Sequence, residues 1–279
     1  LTNSLVQKIN NHLSPTLIMG ILNVTPDSFS DAGKYFNLDK AVEYSLDLIN
    51  QGADIIDIGG ESTRPGADEI SINDELKRVI PVIEGIRSNS SIPISIDTYK
   101  SEVAKEALNS GANMVNDISG LNFDSKMIDV VKDYNIPIVI MHIKGTPKNM
   151  QINPTYDNII KEIITYFKTQ INLCLDYGIP KSNIILDPGI GFGKLKNDNF
   201  LLIKELKTFA NLGYPILIGP SRKSFIGLTL DLPVEERLEG TAAAITASII
   251  NGARIVRVHD VLQMKRVQII SDKIKGATA

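Results

Sequence analysis

Residues 53–66 read ADIIDIGGESTRPG, and the rest of the chain is best understood outward from them. The apolar run 55–58, broken only by Asp57, passes into Gly59-Gly60 and then Glu61, Ser62, Thr63 and Arg64 before Pro65-Gly66. β-Branched residues ended abruptly by two glycines predict a strand buried on both faces. The polar residues that follow therefore stand at a strand's carboxyl end, on a loop too glycine-rich for helix and too charged for core.

The same grammar recurs along the chain. Apolar, β-branched runs lie at residues 16–22, 54–58, 93–96, 113–118, 137–140, 183–186, 215–218 and 254–258, and amphipathic stretches lie at 40–51, 73–87, 100–110, 125–134, 156–177, 198–212, 234–251 and 260–275. Several helical patterns stop at glycine, namely Gly52, Gly111, Gly178, Gly213 and Gly252, as expected of helix ends that lead into the next strand. Eight strand-then-helix units predict an α/β fold, a single (β/α)8 TIM barrel, because parallel strands need crossover helices and eight of them close around a filled interior. An open doubly wound sheet is disfavoured: no G-x-G-x-x-G follows the first strand, and polar motifs end nearly every strand. The expected organisation is one barrel domain, residues 16–279, after an N-terminal lead of residues 1–15.

With 279 residues, 43 % of them hydrophobic, the chain has material for one large core. A formal charge of −3 argues against a partner that needs a basic face, so neither nucleic acid nor a membrane surface is expected. Cys174 stands alone in a helical pattern and reads as a small buried hydrophobe. No signal-like segment or membrane-length apolar run is present in the sequence; a cytoplasmic protein is expected.

The first strand leads at Asn23 into NVTPDSFSDAGKYF, a non-periodic stretch long enough to close over something. Asn23 is either a turn former or an amide ligand for a metal or anion, and Phe29 either a tether or a lid contact. Asp97, Asn116, Asp117 and Asp187 end the third, fourth and sixth strands. Alone, each would read as a helix cap; at one face of one barrel they converge on a shared cavity. That cavity suits a divalent metal or, better, a flat heterocycle rich in N–H donors, since His12, His142 and His259 are scattered and no acidic pair has tight ligand spacing. Cations complete the set: Arg64 after the second strand, Ser221-Arg222-Lys223 after the seventh, and Arg257-Val258-His259 at the eighth, where Arg257 and His259 share one side of the strand. Loops after strands seven and eight commonly bind phosphate, and a helix start near Ser221 offers free N–H groups to an anion.

Taken together, LNVTPDSFSD (22–31), GADIIDIGGESTRPG (52–66), SIDTYK (95–100), VNDISG (115–120), MHIKGTPKNMQ (141–151), DPGIGFGK (187–194), SRKSFIG (221–227) and RVHDV (257–261) resemble the signature set of the dihydropteroate synthase family, in its order and spacing. The resemblance implies condensation of (7,8-dihydropterin-6-yl)methyl diphosphate with 4-aminobenzoate to 7,8-dihydropteroate and diphosphate, by an SN1-like loss of diphosphate. It implies a pterin site of Asp97, Asn116, Asp187, Lys223 and Met141, in which paired N–H donors meet an ionised carboxylate. It places the diphosphate on Asn23, Thr63, Arg64, Arg257 and His259 with Mg²⁺ held through Asn23, and the 4-aminobenzoate among Thr63, Pro65, Phe192, Ser221, Phe29 and Arg222. Catalysis falls to Arg64, Lys223, Arg257, His259 and Asp97, groups placed to stabilise charge on the departing diphosphate. Sulfonamides are expected to compete with 4-aminobenzoate, and a homodimer is expected through the last helices, where TAAAITASII (241–250) permits close packing. Two other readings are a methyltetrahydrofolate-dependent methyltransferase, which would lack the SRK and RVH cations, and a non-catalytic pterin-binding homologue, which should show losses at Asn23, Asp27, Arg64, Arg257 or His259; all are present.

Overall fold

The computed structural model describes residues 2–11, 13–25 and 38–278. His12, Asp27 and Phe29 lie outside the described residues. Eight parallel strands, β1 (Leu17–Asn23), β2 (Ile55–Gly59), β3 (Ile94–Asp97), β4 (Met114–Asp117), β5 (Ile138–Met141), β6 (Ile184–Asp187), β7 (Leu217–Ile218) and β8 (Ile255–Val258), pair in the order β6-β5-β4-β3-β2-β1-β8-β7. The ring closes between β6 and β7 through the bridge Leu186–Ile216, where Leu186 N–H donates to the Pro215 carbonyl at 3.0 Å. The expected (β/α)8 barrel is the observed fold.

The helices are α1 (Thr2–Asn10), α2 (Leu38–Asn50), α3 (Ile72–Asn89), α4 (Ser101–Asn109), α5 (Met127–Tyr134), α6 (Ile159–Asp176), α7 (Lys196–Lys204), α8 (Leu206–Ala210), α9 (Ser224–Leu230), α10 (Leu238–Ile250) and α11 (Val261–Lys275). Two stretches expected as single helices are divided. The 198–212 pattern breaks between α7 and α8 at Glu205 (φ −91°, ψ 13°), and the 234–251 pattern breaks at Arg237 between a short 3-10 turn, Val234–Glu236, and α10.

Strand alternation builds two cores. Leu17, Met19, Ile55, Met114, Val139, Ile185, Leu217 and Ile255 point into the barrel and form one cluster, while alternate residues such as Ile18, Ile56, Val115, Ile138, Ile184 and Val256 pack under the helices. The inner cluster also holds Leu5 and Ile9. These lie four residues apart on one face of α1, so the expected N-terminal lead instead contains a helix that fills the barrel floor. Arg254, at the start of β8, holds that helix: its guanidinium donates to the carbonyls of Ile9 (3.0 Å), Ser14 (3.1 Å), Lys8 and Pro15. Burying Leu5 and Ile9 is worth roughly 1.5–3 kcal/mol each.

Candidate active site

The alternation that makes the floor also makes the site. Two residues beyond the apolar inward positions Ile55, Met114, Val139, Ile185 and Ile255 stand Asp57, Asn116, Met141, Asp187 and Arg257, on the same inward face and nearer the strands' carboxyl ends. Asp117 takes the opposite face. The expectation that it looks into the cavity is corrected: its carboxylate accepts the N–H groups of Ser119 and Leu121, both at 2.8 Å, and fixes the turn after β4.

Arg257 is the centre of the acidic floor. Its Nε donates to Asp57 Oδ2 at 2.5 Å and its Nη2 to Asp97 Oδ2 at 2.7 Å, while Asn116 Nδ2 donates to the same Asp57 oxygen at 3.1 Å. Asp57 is fully buried. Two carboxylates thus share one guanidinium. Burial, with the neighbouring Asp57 charge acting against the help of Arg257, pushes the Asp97 carboxyl up to about 7. The Oδ1 atoms of Asp57 and Asp97 are buried without a hydrogen-bond partner. Unpaired buried acceptors are costly, and here both belong to carboxylates near the carboxyl ends of the barrel strands.

Asp187 stands in register with Met141 of β5. Its Oδ1 accepts the N–H of Gly189 at 2.7 Å; burial pushes its carboxyl up, against the pull of that bond and of Lys223, Lys194 and Arg257. Gly189 has φ +73°, and a Cβ there would lie 2.0 Å from the His142 carbonyl oxygen, so only glycine lets the loop close on β5. Lys223 Nζ donates to the Ile190 carbonyl and lies 4.4 Å from the Phe192 ring centroid, a cation–π contact. Burial lowers the Lys223 ammonium to about 8, with Asp187 opposing. Phe192 is half-buried on the same loop.

At the rim, the Ser221 hydroxyl accepts the backbone N–H of His259 at 3.2 Å and lies 3.0 Å from its Nδ1. Burial and the charges of Arg257 and Arg222 lower the His259 imidazole to about 4. The expected cation is therefore a neutral ring near pH 7, able to offer an N–H but no charge. Arg222, expected beside 4-aminobenzoate, is paired with Asp260, with Nε–Oδ2 at 2.9 Å and Nη2–Oδ1 at 2.5 Å. Its backbone is left-handed (φ 57°), stabilised by the Arg222 N–H bond to Thr241 Oγ1 at 3.0 Å and the Arg237 Nη1 bond to its carbonyl at 3.0 Å.

Arg64 and Pro65 are exposed and Thr63 is half-buried on the loop after β2, which leans toward the loop after β5 through Gly66 N–H to the Pro147 carbonyl at 3.1 Å. Arg64 makes no side-chain hydrogen bond to His259 or Ser221 among the described residues. Asn23 ends β1 half-buried, in register with Gly59, which is itself in register with Asp97. The structure therefore gathers Asp97, Asn116 and Arg257 into one network, with Asp187, Lys223 and Phe192 beside it and Ser221 with His259 at the rim.

Three groups were absent from the expected site. Asp57 reads in the sequence only as the break in an apolar run; the inward alternation 55, 57, 59 is the signal that places it. Lys194, buried, sits with Nζ 3.1 Å from His142 Nδ1, 3.1 Å from the His142 carbonyl and 2.7 Å from the Phe192 carbonyl. Burial, with Lys194 beside it, lowers His142 to about 3, so the ring is neutral, and burial likewise lowers the Lys194 ammonium well below its ordinary value. The third group, Glu61 with Lys100 and Glu75, has no short-range sequence signal, because its members come from three different segments.

Comparison with known proteins agrees with this geometry. The model of the family described as pterin binding enzyme matches residues 19–259. A dihydropteroate synthase of Bacillus subtilis is 49 % identical over 92 % of this chain and 88 % of its own. Among solved structures, the dihydropteroate synthase of Yersinia pestis in a sulfonamide drug complex superposes with a TM-score of 0.89 at 40 % identity, covering 94 % of this chain and 95 % of that one. The enzyme of Clostridium difficile, solved in the presence of pteroic acid, gives 0.88 at 47 %, covering 93 % and 97 %. On the shared barrel, the shared motifs and identities near one half over nearly the whole length, the chain belongs to the dihydropteroate synthase family of pterin-binding enzymes.

Proposed function

We propose that the acidic floor binds the pterin and the rim receives the diphosphate and 4-aminobenzoate, and that the chain thereby performs its family's transferase reaction of folate biosynthesis. The observation that carries the reading is the pair of unpaired carboxylate oxygens on Asp57 and Asp97 beneath a mouth that also presents Lys223 and Arg257. An aminopyrimidine edge donates adjacent N–H groups to Asp187, whose burial strengthens such bonds. Asn116 and Asp97 meet the other ring edges, Lys223 donates to the ring carbonyl and N5, and Met141 forms a side wall.

In the reaction the methylene C–O bond breaks with its electron pair leaving on diphosphate. The electron-rich dihydropterin ring spreads the positive charge left on carbon, which favours a dissociative, SN1-like step, and the cations at the mouth stabilise the departing anion. The 4-aminobenzoate nitrogen then bonds to the methylene carbon and releases its proton. Arg64 and Arg257 offer charge to the leaving group, and neutral His259 an N–H. Thr63, Pro65, Phe192 and Ser221 surround the aminobenzoate; Arg222, already paired with Asp260, acts through the turn it fixes.

Mg²⁺ is compatible with this donor set. No three His, Cys, Asp or Glu side chains gather into a metal cage among the described residues, and Mg²⁺ bound to a diphosphate needs only one or two protein ligands. The Asn23 amide would hold it, and the ion would supply charge neutralisation on the departing oxygens. A homodimer is part of the same proposal, supported by Ile250, Leu262, Ile269, Ile270 and Ile274, which leave apolar area exposed on α10 and α11; light scattering on the purified protein tests it. A cytoplasmic location is proposed with it, to be checked by fractionation. The deciding assay mixes the purified chain, the dihydropterin diphosphate, Mg²⁺ and labelled 4-aminobenzoate. Labelled pteroate formed with equimolar diphosphate, and suppressed competitively by a sulfonamide, supports the reading; no product at any Mg²⁺ concentration refutes it.

A further inference from the structure

We propose that Glu61, together with Lys100 and Glu75, is a clasp that positions the loop of residues 62–70, making Glu61 a positioning residue for the condensation. The loop leaves β2 at Glu61 and returns at Ile70, and both ends are held by the same two side chains. Glu61 Oε2 accepts the Ile70 N–H at 3.3 Å and the Lys100 ammonium, while Lys100 Nζ donates to the Ile70 carbonyl at 2.7 Å and to Glu75 Oε2 at 2.8 Å. Glu61 Oε1 accepts the Tyr99 hydroxyl at 2.8 Å. The side chains of Glu61, Lys100 and Glu75 are 7 %, 7 % and 1 % exposed.

Three charges out of water are a poor means of stabilising a fold, because desolvation offsets most of their attraction and apolar residues would serve as well. What this cluster does supply is a fixed separation and orientation for the two backbone segments at the neck of a loop. The rest of the loop is held lightly, by Gly66 N–H to Pro147 and by an exposed Lys148–Asp68 pair, so its direction is set at the neck. Gly60 fits the same purpose: a Cβ there would lie 2.8 Å from Val79 and 3.0 Å from Glu75 Cγ, so the glycine lets the end of β2 close on α3 and bring Glu61 into the cluster. No hydrogen bond joins the clasp to Asp57, Asn116, Asp187 or Lys223 among the described residues. The loop carries Thr63, Arg64 and Pro65, so the inference rests on the reading that these meet the diphosphate and the aminobenzoate.

The test is Glu61→Ala. It removes one carboxylate and leaves Lys100 paired with Glu75; circular dichroism and a urea midpoint establish that the variant is folded before its kinetics are read. The expected result is a KM for 4-aminobenzoate at least tenfold higher with a lower kcat, faster amide exchange in residues 62–70, and a dissociation constant for 6-hydroxymethylpterin within twofold of the parent. Glu61→Gln, which keeps an oxygen for Lys100 and Ile70, should recover most of the loss; Tyr99→Phe, which removes one bond, should show a smaller effect in the same direction. Parent-like KM and exchange in Glu61→Ala would overturn the proposal, as would a loss of pterin binding in proportion to the loss of turnover. Arg64→Ala, run alongside, separates the two readings: if it behaves as the parent, the substrate role of the loop fails and the positioning role fails with it.

Discussion

Replacing Asp57 by asparagine tests the floor where its charges are most tightly linked. Asparagine keeps one oxygen for both Arg257 Nε and Asn116 Nδ2, and places its amide nitrogen where Oδ1 now has no partner. The change is therefore chiefly the loss of one negative charge from a fully buried position. A charge-assisted hydrogen bond is worth roughly 1.5–3 kcal/mol, so kcat/KM should fall about 10- to 150-fold. The sharper outcome is in the pH profile. Burial and the Asp57 charge both hold Asp97 up to about 7; removing that charge frees Arg257 for Asp97 and lowers its pKa. If ionised Asp97 is what the pterin needs, the acid limb of kcat/KM must move to lower pH in Asp57→Asn, while the basic limb set by Lys223, near 8, moves less. Affinity for 6-hydroxymethylpterin, titrated across pH 5 to 7 where that ring stays uncharged, checks the acid limb without interference from the diphosphate's own protons. An acid limb that stays put or rises would refute the shared-guanidinium account.

Three further outcomes are expected. Asp187→Asn should weaken pterin binding by roughly 1.5–3 kcal/mol in calorimetry, with 4-aminobenzoate KM changed far less. Arg254→Met strips the donors from four carbonyls at the barrel floor and should cost about 3 kcal/mol of folding stability, read as a lower urea midpoint at unchanged KM. His259, lowered to about 4, takes up no proton in the folded state between its ordinary value near 6.5 and pH 4, whereas the unfolded chain does. Stability should therefore fall as pH drops through that window, and His259→Gln should flatten the slope; an equal slope would show the imidazole to be charged in the fold.

The barrel was legible because eight apolar, β-branched runs alternate with eight amphipathic stretches, and helix boundaries fell within a few residues of the patterns. The lead segment was not, because the role of Leu5 and Ile9 depends on an eighth strand that lies far along the chain. At the site, residues flanked by alternating apolar partners were readable: Asp187 and Arg257 follow Ile185 and Ile255 by two. Asp117 misled because its neighbour Asn116 is inward, and adjacent strand residues cannot both be. Arg222 and His259 read as free cations by type alone; Asp260 neutralises the first and burial discharges the second. Glu61 and Lys100 combine segments that no periodicity connects.

The grip of Arg254 on Ile9 spans 245 positions of chain, and that has a consequence for how the protein is made. Because β8 follows α1 by nearly the whole barrel, Leu5 and Ile9 remain without their final surroundings until that strand has been made. Over that span the nascent polypeptide carries an unsatisfied apolar segment, and barrel closure becomes one late, long-range event rather than eight successive ones.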